Sequence, residues 1–258
     1  MWHSLFAYIH YLSVSKSKFG IHSPFVYDFV TKALESPLPL EHSLKLKDFR
    51  NDLLRDSTVI EVLDFGVGSK VFNSNQRKIS DIAKYAGISK TKAKLLQKIV
   101  YYFKPTSILE LGTSLGISSA AMCIAAPSAK IISVEACPQT AAKAALNIQK
   151  HQLENITIEI DEFSNILPKI FQNNTFDLIF FDGNHKKEAT INYFEASLKS
   201  THNDTLLIFD DIHWSIGMEK AWKYIKAHPK ITLSIDLFHL GLVFFRKEQV
   251  KQDFVIRF

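Results

Sequence analysis

Three carboxylates end two runs of apolar residues: Asp182 closes Asp177-Leu-Ile-Phe-Phe, and the pair Asp210-Asp211 closes Leu206-Leu-Ile-Phe. Carboxylates this crowded repel one another unless a cation or proton intervenes, and an oxygen-only donor set of Asp182, Asp210 and Asp211 suits a hard ion such as Mg²⁺. His185 follows Asp182 by three residues, in Asp182-Gly183-Asn184-His185. Imidazole titrates near neutrality, so His185 beside Asp182 is a candidate general base for a hydroxyl nucleophile. The alternatives are acids that hydrogen-bond a substrate without a metal, and a histidine that is only a surface or helix-capping group. His213 and Trp214, just past the acidic pair, form either a substrate wall or ordinary packing at a helix start.

Two glycine-bearing segments compete for a ligand-binding turn, Val62-Leu-Asp-Phe-Gly-Val-Gly68 and Ile108-Leu-Glu-Leu-Gly-Thr-Ser-Leu-Gly116. Such a turn joins a strand to a helix, and the next strand ends about 20 residues on in an acid that meets ribose hydroxyls. After Gly68 the chain is polar through Arg77, and no acid follows at that distance. After Gly116 comes small, helix-compatible sequence, and then the run 130–134 ends at Glu135, 135 − 116 = 19 residues on. The second segment is therefore preferred. Its Gly-x-x-x-Gly spacing lacks the middle glycine through which bare backbone approaches a pyrophosphate. S-adenosylmethionine has no phosphate and escapes that requirement, while glycine still serves the tight turn and close approach of the ligand.

These residues need a scaffold that brings strand ends together. From residue 107 onward apolar runs at 107–111, 130–134, 156–160, 176–181 and 204–209 alternate with helical stretches, as repeated βαβ units do. The runs 231–237 and 241–246 are separated only by Phe238-His239-Leu240, too short for a crossover, so they are antiparallel neighbours. The expected class is α/β, with five parallel strands and a C-terminal antiparallel hairpin strand. Upstream, the pattern predicts a helix over 2–15 and another opened by Ser23-Pro24 as N-cap and first helical residue. Pro37 and Pro39 break it. Residues 40–78 read as mixed and polar with one short strand at 58–63, and 79–103 as a helical pair. This divides the chain into a helical N-terminal extension or lid, 1–78, and a ligand-binding domain, 79–258.

The strings ILELGTSLGISSAAM, IISVEACP and FDLIFFDG resemble the catechol and caffeoyl-coenzyme-A type O-methyltransferases, over roughly residues 95 to 215. The resemblance implies a Rossmann-like class I methyltransferase sheet of order 3-2-1-4-5-7-6, binding S-adenosylmethionine. It also implies the cofactor's neighbours. Glu110, Gly112, Ser114 and Ser118 would line the methionine portion, Glu135 the ribose, and Asp161, Glu162 and Phe163 the adenine. Thr113, Gly116, Ala136 and Asp182 complete the expected cofactor set. In that family the carboxylate positions hold a divalent metal that acidifies the substrate hydroxyl. Asp211 stands where the family usually has Asn. The DGNH run at 182–185 is similar to a motif of methyltransferases acting on sugars and macrolides, and His185 falls where the catechol type carries its lysine.

Composition bounds the alternatives. The chain has 258 residues, 47% hydrophobic, a net charge of +5 and two cysteines, Cys123 and Cys137. That suits one catalytic-sized domain with an accessory region, and neither a disulfide framework nor a Cys-based metal site. The start lacks the features of a secretion signal, and no uncharged apolar run approaches about 18 residues. A cytoplasmic protein without a transmembrane segment is expected. Leu5, Ile9 and Leu12 share one helical face, which would pack on the main domain, on a second subunit of a homodimer, or on a membrane surface. Residues 79–96 resemble a helix-turn-helix with Gly87 at the turn, made basic by Lys84, Lys90, Lys92, Lys94 and Lys98. Three functions follow: O-methylation of a small-molecule acceptor, methylation of tRNA or rRNA through the 84–98 face, and cofactor binding without turnover. The aromatic run Phe19-Gly20-Ile21-His22-Ser23-Pro24-Phe25 would serve as an acceptor lid or a packed staple.

Overall fold

The computed structural model describes residues 2–63 and 74–258, so the rejected glycine segment at 64–68 lies outside the described residues. In chain order the elements are α1 (Trp2–Val14), α2 (Pro24–Asp28, continued by a π-helical stretch Phe29–Leu34), α3 (Leu40–Arg55), β1 (Val59–Glu61), β2 (Gln76–Lys78) and α4 (Ile79–Asp81, continued by a π-helical stretch Ile82–Ala86). There follow α5 (Lys90–Phe103), β3 (Ser107–Leu111), α6 (Ile117–Ala125), β4 (Lys130–Glu135), α7 (Pro138–Lys150), β5 (Ile156–Ile160) and α8 (Phe163–Asn173). The last are β6 (Leu178–Phe181), α9 (Lys187–Ser197), β7 (Leu206–Asp210), α10 (Ile216–Ala227), β8 (Leu233–Asp236), β9 (Leu240–Phe244) and β10 (Gln252–Val255). The chain forms two compact units, one of residues 36–166 and one of 1–35 with 167–258.

In the 36–166 unit β4 runs parallel between β3 and β5, in the expected 3-2-1 half of the order. The register sets Leu111 beside Val134 and Glu135 beside Ile160. The turn after β3, the acid closing β4 and the loop after β5 therefore emerge at one edge. Ser89 starts α5 by accepting a hydrogen bond from the Lys92 amide at 3.2 Å, and Lys104 ends it in the left-handed conformation, φ 50°. Leu95, Leu96, Ile99 and Val100 of α5 are buried, and the helix packs on α6. Residues 79–103 are thus a helical pair that covers the core, with Lys84, Lys90 and Lys94 exposed.

The stretch 40–78, read above as mixed and polar, instead opens with the 16-residue helix α3. It buries Leu46, Phe49 and Leu53, spaced three and four residues apart on one face. The strand expected at 58–63 is the shorter β1, paired antiparallel with β2.

In the other unit β6 and β7 are parallel, with Phe181 beside Phe209. β9 is antiparallel to both β7 and β8, which is the expected 4-5-7-6 half. An additional strand, β10, lies parallel to β8 at the outside. The start of the chain meets it: the Tyr11 hydroxyl donates to the Ile256 carbonyl, and Lys16 N donates to the Val255 carbonyl at 2.8 Å. α1 turns Ala7 and Tyr11 inward, and leaves Leu5, Ile9 and Leu12 exposed. Ser23 caps α2 by accepting from the Val26 amide at 3.4 Å, with Pro24 at its first position as expected. Among the described residues no helix is long and apolar enough to cross a membrane.

Candidate functional site

One group of candidate residues lies in the 36–166 unit. β3 is buried almost throughout, and the turn that follows adopts φ 106° at Gly112, 47° at Ser114 and 79° at Gly116. Only glycine takes the first and last without steric penalty. A Cβ at Gly116 would meet Ile148, Ala144 and Phe49 at 3.4 to 3.6 Å, so the turn is seated on α7 and α3. Glu135, the last residue of β4, receives the Ser114 amide on Oε2 at 2.8 Å and the Cys137 amide on Oε1 at 2.9 Å. Ala136 beside it is half-buried. The acid chosen by its spacing therefore touches the turn chosen with it.

Asp161 N donates to the Glu135 carbonyl at 3.2 Å. The Asp161 carboxylate accepts from the Glu162 amide at 2.7 Å and from Asn165 at 3.0 Å, which anchors the start of α8 at Phe163. Glu162 is exposed, and Asp161 and Phe163 are half-buried.

Glu110 has no solvent exposure. Its Oε2 accepts from the hydroxyls of Ser119 and Ser133, the latter at 2.6 Å, and Ser133 Oγ lies 2.5 Å from Thr113 Oγ1. The carboxyl thus braces the turn from within, through Thr113. Burial pushes it up to about 7, against the downward pull of hydrogen bonds from Ser118, Ser119 and Ser133, and the charge of Glu135 adds to the rise. Ser119 and Ser133 were not singled out from sequence. The available signal was a polar residue in the middle of an apolar strand, Ile131-Ile-Ser-Val134.

A separate group lies in the other unit, at the carboxyl ends of β6 and β7. Their register places Asp182, one residue past Phe181, next to Asp210, one past Phe209. Asp210 is only 2% exposed. Asp182, His185 and Asp210 each present a ligand atom, all within 4.8 Å of one another, with His185 Nε2 3.8 Å from Asp182 Oδ1. Asp211 does not join them. It takes φ 53°, its amide donates to the His239 carbonyl at 2.8 Å, and its carbonyl accepts from the Trp214 amide at 2.9 Å. Two carboxylates and an imidazole within one shell suit a divalent cation, so this donor set fits a metal of the kind the resemblance implies.

His213, half-buried, is fixed by its neighbours. Its Nε2 lies 2.8 Å from Asp236 Oδ2, its Nδ1 3.2 Å from Glu219 Oε1, and its ring stacks on Phe238. Burial opposes its protonation, yet the hydrogen bonds and charges of Asp236 and Glu219 prevail and its pKa is raised. Trp214 lies beside His185, with ring centroids 6.0 Å apart.

The fold is that of class I methyltransferases. It is shared with the SAH-bound Podospora anserina methyltransferase, at 16% identity and a TM-score of 0.60 over 88% of this chain and 98% of that one. It is shared also with the Bacillus cereus O-methyltransferase in complex with SAH, at 20% identity and a TM-score of 0.55 over 85% and 96%. In sequence, a family model described as a methyltransferase domain matches residues 109–212. A catechol O-methyltransferase of Niastella koreensis is 31% identical over 129 residues, 48% of this chain and 58% of that protein. The match thus spans somewhat over half the length of that relative.

Proposed function

We propose that this protein is a methyltransferase that moves the methyl group of S-adenosylmethionine to a hydroxyl oxygen of a small-molecule acceptor, in a cytoplasmic setting. The observation that carries the reading is the meeting of Glu135 with the Gly112–Gly116 turn at the ends of β4 and β3: an acid positioned for ribose hydroxyls beside a turn tight enough for an aminoacyl group. The names of the Niastella and Bacillus relatives support oxygen as the acceptor atom. On this reading Gly112, Thr113, Ser114, Gly116 and Ser118 hold the methionine portion, with Glu110 bracing them. Glu135 and Ala136 meet the ribose, and Asp161, Glu162 and Phe163 complete this unit's share of the cofactor set. Residues 79–258 are assigned as the methyltransferase domain and 1–78 as its extension.

In the transfer the acceptor oxygen forms the new O–CH₃ bond as the S–CH₃ bond breaks, its electron pair passing to sulfur. S-adenosylhomocysteine leaves. The hydroxyl proton passes to His185, and Asp182 and Asp210 would hold a divalent cation. A divalent ion such as Mg²⁺, when bound, supplies charge that lowers the hydroxyl's pKa. Alignment for in-line displacement carries much of the remaining barrier reduction.

Titration calorimetry with S-adenosylmethionine tests the premise. The wild-type chain should bind one equivalent, and Glu135→Ala should weaken binding roughly tenfold to a hundredfold, the worth of hydrogen bonds to a charged group. A folded wild-type sample that binds no cofactor would sink the proposal. An RNA acceptor draws less support, because the apolar side of α5 is committed to α6.

A further inference from the structure

We infer that two copies of this chain associate through β5, the open edge strand of the 36–166 unit, whose residues Ile156–Ile160 pair antiparallel about Ile158 in a symmetric dimer. β5 ends the strand order and, among the described residues, pairs only with β4. Thr157, Glu159 and Ile160 are exposed.

The backbone groups that the edge offers follow from the bonds on its inner side. The Asn155 carbonyl accepts from the Ile131 amide at 3.0 Å, and the Asp161 amide donates to the Glu135 carbonyl at 3.2 Å, so residues 155 and 161 turn these groups to β4. Direction alternates along a strand, and the amides and carbonyls of Ile156, Ile158 and Ile160 therefore point to the open side. Protein edges are commonly blunted by lysine, proline or a bulge. β5 reads Ile-Thr-Ile-Glu-Ile: it has neither lysine nor proline, and all but Glu159 are β-branched residues that favour strands.

The side chains select a second copy as the occupant. Ile156 and Ile158 form one wall of a groove of about 500 Å³, and Ala145 and Ile148 of α7 form another. Ile160 lies on the same face by the two-residue period, yet is 52% exposed. Directly opposite residues of an antiparallel pair share a face, so a register centred on Ile158 sets Ile160 of one copy against Ile156 of the other, in the groove. On the far face Thr157 then meets Glu159, and the two Glu159 carboxylates avoid each other. Every open-edge residue also falls at a hydrogen-bonded position, Ile158 with its own counterpart and Ile156 with Ile160. A shift of one residue would bring opposite faces together. A shift of two would either set Glu159 against Glu159 or carry Ile160 past the end of the other strand. The strand is thus complementary to itself in one register.

The test is sedimentation velocity of the full-length chain over a concentration series, with thermal melts to confirm that each variant folds. The 29.4 kDa chain should sediment as a dimer. Ile160→Lys should give monomer, by placing an ammonium group at the apolar groove. Thr157→Glu sets like charges opposite one another at both symmetry-related positions and should weaken association about fivefold to thirtyfold. Adding Glu159→Lys to it makes opposite-charge pairs, and should restore association to within about twofold of wild type. Phe6→Ser, on the exposed face of α1, should leave the dimer unchanged. The inference is overturned if the wild-type chain stays monomeric, if its dimer survives Thr157→Glu, if Glu159→Lys does not restore what Thr157→Glu removes, or if Phe6→Ser dissociates it. Should Ile160→Lys fail to fold, the exposed positions Thr157 and Glu159 decide the matter.

Discussion

Glu110 keeps its proton in the folded chain up to about pH 7, whereas the unfolded chain releases it near 4.5. Because the folded pKa lies above the unfolded one, the carboxyl costs nothing below pH 4.5, and stability falls as pH rises from there toward 7. Above that window the cost is about 3 kcal/mol. Glu110→Gln keeps a group that can bond Ser119 and Ser133 without the ionisation, so thermal melts between pH 4.5 and 8 should lose this slope, and an unchanged slope would exclude Glu110 as its source. At this scale sequence reading has an evident limit. Glu135 was legible because a strand of known length ends in it. The separation of the Asp211 carboxylate from Asp182 and Asp210 was not, because it accompanies a left-handed φ at Asp211, and Asp enters that region more readily than most residues without announcing when it will.

The elements that seat the turn are where packing energy concentrates. Phe49 on α3 is fully buried, lies against His151, and would be 3.6 Å from a Cβ at Gly116. Phe49→Ala should cost about 3 to 5 kcal/mol in denaturant unfolding. On β9, a Cβ at Gly241 would come within 2.7 Å of the Trp222 ring, so Gly241→Ala should cost about 1 to 3 kcal/mol through overpacking, visible as a lowered Tm. The strands from β3 to β9 were legible because each is a dense apolar run between turn signals. α3 was not, since only three of its sixteen residues are buried and charged residues fill most of the rest. β10 escaped for a related reason: four residues, Gln252-Asp-Phe-Val255, carry too little apolar sequence to stand out, and the strand exists because β8 offers an edge.

Across the whole molecule, one compact unit is assembled from segments far apart in sequence, 1–35 and 167–258. Within it β10 holds α1 through Tyr11 and Lys16, and Arg257 N returns a bond to the Lys16 carbonyl at 3.1 Å. Removing residues 252–258 should free this attachment. Limited proteolysis should then cut near Lys16 and Lys18 much faster than in the intact chain, while cofactor binding by the 36–166 unit persists at reduced affinity. Equal cutting rates would show that β10 does not secure the N-terminal segment.

The Tyr11 bond to Ile256 joins residues 245 positions apart. On a ribosome adding about 5 to 20 residues per second, α1 emerges roughly ten to fifty seconds before the strand that fastens it. Through that interval Tyr11 lacks its Ile256 acceptor, and the helix, already apolar at Leu5, Phe6, Ile9 and Leu12, has no final seat. A growing chain therefore carries this apolar segment unfastened until β10 has been made, and yield on expression should respond to chaperone supply more than the stability of the finished fold would suggest.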